Sequence, residues 1–383
     1  MHYSYDRILT THVGSLPRPP LIENLLVKAE CGDSDAETEL EKQLPAAVAQ
    51  SVTAQQAWGI DIVNDGEVSK TGYSTYIQQR LAGFSGESPS LRFDDLSPFP
   101  QYRKVQANAA GTRRLVRPCC TGPLQVLTDQ PLKRDIQNLS EATKHRDIAD
   151  VFMNAASPGV ISLFHTNQFY SDDDKYLEAL STVMRHEYEA IHAAGFMLQI
   201  DCPDLAMGRH TQYRELSSTD FLKRAAIQVE VLNAALTNIP GNRIRMHICW
   251  GNYEGPHHHD IPLEELFDTI MAAKPSGLLL ESSNPRHAHE WELFRRQSLP
   301  DDKILIPGLI DSVNNYIEHP ELVSQRIIQF ANLVGRERVI AGADCGFATF
   351  AGMGKVDPAI AVEKFKSLVT GANIASQKLW RPI

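Results

Sequence analysis

Cysteine is scarce in this chain. The six that occur, Cys31, Cys119, Cys120, Cys202, Cys249 and Cys345, are spread over 383 residues with no spacing that frames a disulfide set. Reduced thiols are the simpler reading, and a small bridge-stapled secreted scaffold is excluded. Long apolar runs are lacking as well: no stretch of about eighteen apolar residues occurs, which argues against a membrane-spanning helix. The segment Met1-His-Tyr-Ser-Tyr-Asp-Arg7 has no basic stretch leading into an apolar one, so the expected location is the cytoplasm. Positive charge is in deficit, 37 Lys and Arg against 47 Asp and Glu. A net charge of −10 disfavours a general nucleic-acid or anionic-membrane surface. Internal repeats and low-complexity tracts are absent too. Small-molecule chemistry on a globular chain remains.

What is present is an alternation of short β-rich runs with longer amphipathic stretches, the pattern of a parallel sheet with crossover helices. Candidate strands lie at Leu9–Val13, Ile60–Asn64, Leu115–Cys120, Met197–Asp201, Ile244–Cys249, Leu278–Glu281, Ile304–Ile310 and Val339–Ala343. Helices are expected from a capping box at Ser34-Asp-Ala-Glu37 to Trp58, then over Asp172–Ala194, Thr219–Leu236, Pro262–Ala273, Pro320–Val334 and Pro358–Leu379. Eight β/α steps point to a TIM barrel, with residues 1–383 forming one catalytic domain. The Pro-, Ser- and Asp-rich region 85–170 reads as an elaboration around the third strand, with a hairpin from Lys104–Ala109 and Arg113–Arg117.

His247 and Cys249 are two residues apart on a strand and therefore face the same side. Cys345, in Ala343-Asp-Cys-Gly346, follows the last strand. In a barrel all three fall on the C-terminal rim, where TIM-barrel active sites lie. Nitrogen and thiolate ligands together favour tetrahedral Zn²⁺, and three protein ligands with an exchangeable fourth position describe a catalytic site. Glu281, at the end of the strand between them, is a candidate fourth ligand. Gly14-Ser15, Asp65-Gly66-Glu67, Thr121-Gly122-Pro123, Asp201, Asp311 and Asp344 stand at other strand ends.

At these residues the chain resembles the cobalamin-independent methionine synthase family, whose catalytic barrel carries His-x-Cys, Glu and a distant Cys as zinc ligands. The matching pieces are His247-Ile-Cys249, Glu281 in Leu279-Leu-Glu-Ser-Ser283, and Cys345. The resemblance implies a fold of the methionine synthase and uroporphyrinogen decarboxylase type. It further implies an amino-acid-binding turn at Val13-Gly-Ser-Leu-Pro17, with Ser15, and substrate carboxylates Glu67 and Asp201. The chain departs from that family in having no histidine in Gly308-Leu-Ile-Asp-Ser-Val-Asn-Asn315 and in having Cys202 where a Glu usually follows the aspartate. Its stretch His247 to Asp260, with Trp250-Gly-Asn-Tyr-Glu-Gly-Pro-His-His-His-Asp260, looks more like the single-barrel branch that includes epoxyalkane:coenzyme M transferases.

The expected activity is zinc-dependent alkyl transfer, in which a small-molecule thiol attacks an electrophilic carbon of an epoxide or a methyl donor and a thioether is formed or cleaved. Methyl transfer to homocysteine is one alternative and a metal-free lyase of the uroporphyrinogen decarboxylase kind another. Either epoxide opening or methyl transfer needs a proton donor. Candidates are Asp311 and the run His257-His258-His259, with His257 and His258 preferred; loop capping and a solvated loop are the bland alternatives. Trp250 and Tyr73 are candidates for an apolar wall. No nucleic acid or membrane partner is expected, and the sequence is compatible with a homo-oligomer.

Overall fold

The structure, a computed structural model, describes residues 2–72, 76–109 and 117–380. Ten strands occur among them: β1 (Leu9–Thr10), β2 (Ile62–Val63), β3 (Leu81–Ser85), β4 (Cys119–Val126), β5 (Asp150–Ala156), β6 (Met197–Asp201), β7 (Ile244–His247), β8 (Gly277–Leu280), β9 (Ile304–Pro307) and β10 (Ile340–Ala341). The six strands β2-β5-β6-β7-β8-β9 pair in that order, all parallel, and β1 pairs with β10. Parallel bridges Leu305–Val339 and Gly308–Gly342 join β9 to β10. On the other side the Asp61 N–H donates to the Thr10 carbonyl at 3.2 Å, beside β2. The sheet closes on itself as a TIM barrel.

β8 and β9 read Gly-Leu-Leu-Leu and Ile-Leu-Ile-Pro, without polar alternation, because both faces of a barrel strand are covered. The lumen is filled by Leu9, Ile62, Phe152, Met197, Leu279, Ile304, Ile306 and Ile340, drawn from β1, β2, β5, β6, β8, β9 and β10. β7 contributes Arg245 instead. Its guanidinium lies 4.0 Å from the Phe152 ring centroid and donates to Thr11 Oγ1 and the His12 carbonyl. A second, larger apolar layer lies between the strands and the helices.

The helices end where their sequence signals place them. Helix Ser34–Trp58 stops at Gly59 with φ +88°, a conformation that costs glycine nothing. Its N-cap is Asp33, whose side chain accepts from the Asp35 and Ala36 N–H groups, one residue before the expected capping box. Helix Asp173–Ala193 is capped by Asp172 accepting from Lys175 N–H. Helices Ser218–Ala235, Leu263–Met271, Pro320–Val334 and Pro358–Leu379 follow the expected spans within two residues.

The third barrel strand is the main correction. Leu115–Cys120 was expected to supply it; instead Cys119 and Cys120 open β4, which pairs antiparallel with β3 as a hairpin, and the barrel position is taken by β5. Thr121-Gly122-Pro123 consequently lies within β4, not on a barrel rim. Lys104–Ala109 belongs to helix Pro100–Ala109, not to a hairpin, and residues 113–116 lie outside the described residues.

Candidate functional site

The rim of the barrel brings His247, Cys249 and Cys345 together. One ligand atom from each lies within 4.8 Å of the others, and all three residues are buried. The Cys249 and Cys345 sulfurs are 3.7 Å apart. Two sulfurs bound tetrahedrally to one zinc at about 2.3 Å would stand about 3.8 Å apart, so the spacing fits the ion. The positions follow from the strands: His247 ends β7, the Ile248 N–H still bonds the Leu279 carbonyl, and Cys249 therefore keeps the same side as His247.

The charges of the trio are interdependent. Burial alone would lower His247, but Cys345 and Asp201 outweigh it and raise the imidazole to about 10. The Cys249 thiol, donating to Cys345, lowers that sulfur to about 6 against the effect of burial, and His247 lowers it further. The same pairing, with burial, pushes Cys249 well above the ordinary thiol range. A metal held by these three residues would bind them as thiolates and neutral imidazole. Asp201 Oδ1 stands 3.5 Å from His247 Nδ1, and the Asp344 carbonyl 3.1 Å from Nε2.

Glu281 stands beside the trio without joining it. Its oxygens accept from the Trp250 N–H at 2.9 Å and from Asn284 Nδ2 and Arg286 Nη2 at 2.8 Å each. Neighbouring Asp344 braces the same loop, accepting from the N–H groups of Ser282, Ser283 and Asn284.

A cavity of about 330 Å³ opens over the sulfurs, and Ser15, Glu67 and Asp201 line it together with His247, Cys249 and Cys345. Six of the expected residues thus share one chamber. Asp201 is oriented by Asn154 Nδ2 at 3.0 Å and Gln199 Nε2 at 2.9 Å. Glu67 has φ +54°, and its Oε2 is buried with no hydrogen-bond partner among the described residues. Burial raises its carboxyl to about 8, against nearby Lys70, while Asp201 and Asp65 push it up. Gly346 admits Ser15: a Cβ there would meet the Ser15 hydroxyl at 2.0 Å.

The three acid candidates do not line this chamber among the described residues. His257 is buried with Nδ1 3.1 Å from Asp260 and Nε2 2.9 Å from the Tyr253 carbonyl. His258 is exposed against Phe99 and His259. Asp311 is buried and accepts from the Val313 N–H at 2.7 Å. Trp250 is fully buried against His287, with its indole N–H on the Ile261 carbonyl; Tyr73 lies outside the described residues.

Sequence reasoning missed the outer wall, formed by Phe93, Phe164, Met207, Phe347, Phe350 and Met353. Scattered apolar residues on loops carry no periodic signal. It also missed Asn154, because β5 was missed; a lone Asn inside Val151-Phe-Met-Asn-Ala-Ala156 was the available clue.

No family model matches the chain. Its fold is that of a known enzyme barrel. A B12-independent methionine synthase from Shewanella sp. W3-18-1, solved with selenomethionine, superposes with a TM-score of 0.72 at 19% identity, covering 97% of this chain and 99% of that one. By sequence the chain is 24% identical over 373 residues to a methionine synthase of Thermococcus kodakarensis, covering 97% of this chain and 94% of that protein. It is also 26% identical over 348 residues to YxjH, an uncharacterized protein of Bacillus subtilis, covering 88% and 86%.

Proposed function

We propose that residues 1–383 act as one catalytic barrel that transfers a methyl group to the thiol of an amino-acid substrate of the homocysteine type, with Zn²⁺ held by His247, Cys249 and Cys345. The observation that carries this reading is the chamber itself: two sulfurs 3.7 Å apart and an imidazole open into the same space as Glu67 and Asp201. The similar methionine synthases support methyl transfer over epoxide opening, which has no support among the reported relatives. A metal-free lyase would leave the His-Cys-Cys trio without a role.

Bound zinc would supply the positive charge under which a thiol ionises at neutral pH. The chain's own residues do the rest. Glu67 and Asp201 are two carboxylates facing one cavity, a pattern suited to an ammonium group and not to a sulfonate. Glu67, held at about 8, is largely protonated before substrate arrives and gives up its proton when a cation takes its place. Asn154 and Gln199 keep the Asp201 carboxylate aimed while its other contact steadies His247. The aromatic and methionine wall excludes water from the developing thioether. Asp311, His257 and His258 remain the candidate proton donors by position in the sequence, with Asp311 nearest in chain to Ser312 and Val313 of the cavity wall.

The test is product formation. Zinc-loaded protein is incubated with homocysteine and, in separate arms, N-methyl, S-methyl and metal-methyl donors and a short epoxide, with thioethers read by mass spectrometry. Methionine in any methyl arm supports the reading. A thioether only in the epoxide arm moves the activity to epoxide opening.

A further inference from the structure

Arg18 is buried, and its guanidinium donates to three main-chain carbonyls in two other loops. Nη1 reaches the Ala348 carbonyl at 2.6 Å, and Nη2 reaches the carbonyls of Glu67 at 3.0 Å and Lys70 at 2.8 Å. Each loop involved forms part of the chamber. Arg18 follows Ser15 in the loop after β1, Glu67 and Lys70 lie in the loop after β2, and Ala348 lies between Phe347 and Thr349 in the loop after β10. Ser15, Glu67, Phe347 and Thr349 all line the cavity. The Leu16 N–H on the Gly66 carbonyl at 3.1 Å and the Phe347 N–H on the Ser15 carbonyl at 2.9 Å join the same three loops. A guanidinium presents its donors as a rigid planar fork, which suits one side chain to several fixed acceptors.

Glu67 needs such support. Its φ of +54° lies in the left-handed region, which a residue with a side chain keeps only where its surroundings fix it. The fixing is done on the main chain. The Glu67 N–H donates to Asp65 Oδ1 at 2.9 Å, and the Glu67 carbonyl accepts from the Lys70 N–H at 3.1 Å and from Arg18. The first two bonds are local to the loop; the third ties it to the rest of the rim. The carboxylate itself gives less hold, because Oε2 is buried with no hydrogen-bond partner among the described residues. Its direction is therefore set by the backbone that Arg18 anchors.

We propose that Arg18 is a positioning residue for substrate binding: by locking the loop after β2 to the loop after β10, it holds the Glu67 carboxylate ready-formed towards the chamber. The inference rests on the reading of Glu67 as a partner of the substrate ammonium group and adds to it a residue that acts through Glu67. Arg18 is not among the residues that line the cavity. A site formed in advance spares the ligand the cost of ordering it.

The experiment compares methionine with its deamino analogue, a thioether carboxylate without the ammonium group, by calorimetry on the zinc-loaded full chain. Wild type should prefer methionine by at least about tenfold, as a charged hydrogen-bonding partner implies. Glu67→Gln should lose that preference. Arg18→Lys and Arg18→Met should reduce it to less than about threefold while binding the analogue as wild type does, and in the Glu67→Gln background neither should change the preference further. A general structural role would weaken both ligands alike, and that result overturns the proposal. So does an Arg18 variant with wild-type preference. Hydrogen exchange of residues 65–71 in wild type reports even where the Arg18 variants fail to fold: exchange should already be slow without ligand and change little on adding methionine, whereas strong slowing by methionine would show that the site is not formed in advance. Wild type with no preference for methionine, or Glu67→Gln with the full preference, removes the ammonium reading itself, and is recognised by arising with Arg18 intact.

Discussion

Asp201 Oδ1 lies 3.5 Å from His247 Nδ1, joining a carboxylate that lines the chamber to the imidazole of the His-Cys-Cys trio. Carboxylate partners of this kind orient a ligating histidine, and their loss commonly costs about 10–100-fold in metal affinity. Asp201→Asn should therefore weaken zinc binding by about tenfold and also raise the KM for the thiol. Chelator competition and steady-state kinetics on one preparation test both. An unchanged zinc affinity with a raised KM would confine Asp201 to the substrate.

Glu67 predicts a proton count. Its carboxyl, raised to about 8 chiefly by burial, is protonated at pH 7 and should ionise when an ammonium group binds beside it. Methionine, whose sulfur does not titrate, is the suitable ligand. Calorimetry in buffers of different ionisation enthalpy should show close to one proton released per methionine at pH 7, falling to about half a proton at pH 8, where Glu67 is half ionised before binding. Glu67→Gln should bind more weakly and release none; an equal release would assign the proton elsewhere.

Gly14 has φ +143°, and a Cβ there would stand 2.5 Å from Asn154 and 2.6 Å from Glu67 Oε1. Gly14→Ala should cost about 1–3 kcal/mol of stability through backbone strain. It should also raise KM by displacing both side chains. Urea unfolding and kinetics test the two effects, and a variant of wild-type stability and KM would show that the turn can shift freely.

Asp204 gives a stability prediction. Burial raises its carboxyl to about 7 although the Ser157 hydroxyl, 2.6 Å away, favours the charged form. In the unfolded chain it titrates near 4. Between those values the folded state holds the proton and the unfolded state does not. The contribution is complete below about pH 4 and is lost as pH rises to about 7, at up to about 1.4 kcal/mol per pH unit. Asp204→Asn should flatten the fall in unfolding free energy between pH 5 and 7. Identical slopes for the two proteins would contradict the assignment.

How far the sequence could be read depended on whether a signal was local. Gly59, Asp172 and the prolines at 320 and 358 mark helix ends by backbone chemistry alone, and those ends are where they were expected. The His247-Cys249 spacing is a property of any strand, so the clustering of those two residues with Cys345 was legible once Cys345 was set on the same rim. Strand pairing is not local. Leu115–Cys120 reads as a barrel strand, yet Cys119 and Cys120 open a strand that pairs with Leu81–Ser85 as an antiparallel hairpin, and a short apolar run does not reveal which partner it will take. β5 was hidden by Asn154 and two alanines, and with it the residue that orients Asp201. His257 looked available in the sequence because nothing there reveals that Asp260 and the Tyr253 carbonyl occupy both ring nitrogens.

The central claim is a metal between His247, Cys249 and Cys345, and its most direct test is zinc content by elemental analysis of protein purified without chelators and then reloaded. Wild type should hold about one zinc per chain, and Cys249→Ser and Cys345→Ser should each hold far less while melting as folded proteins. Wild type that remains free of zinc, or cysteine variants that keep a full equivalent, would contradict the account.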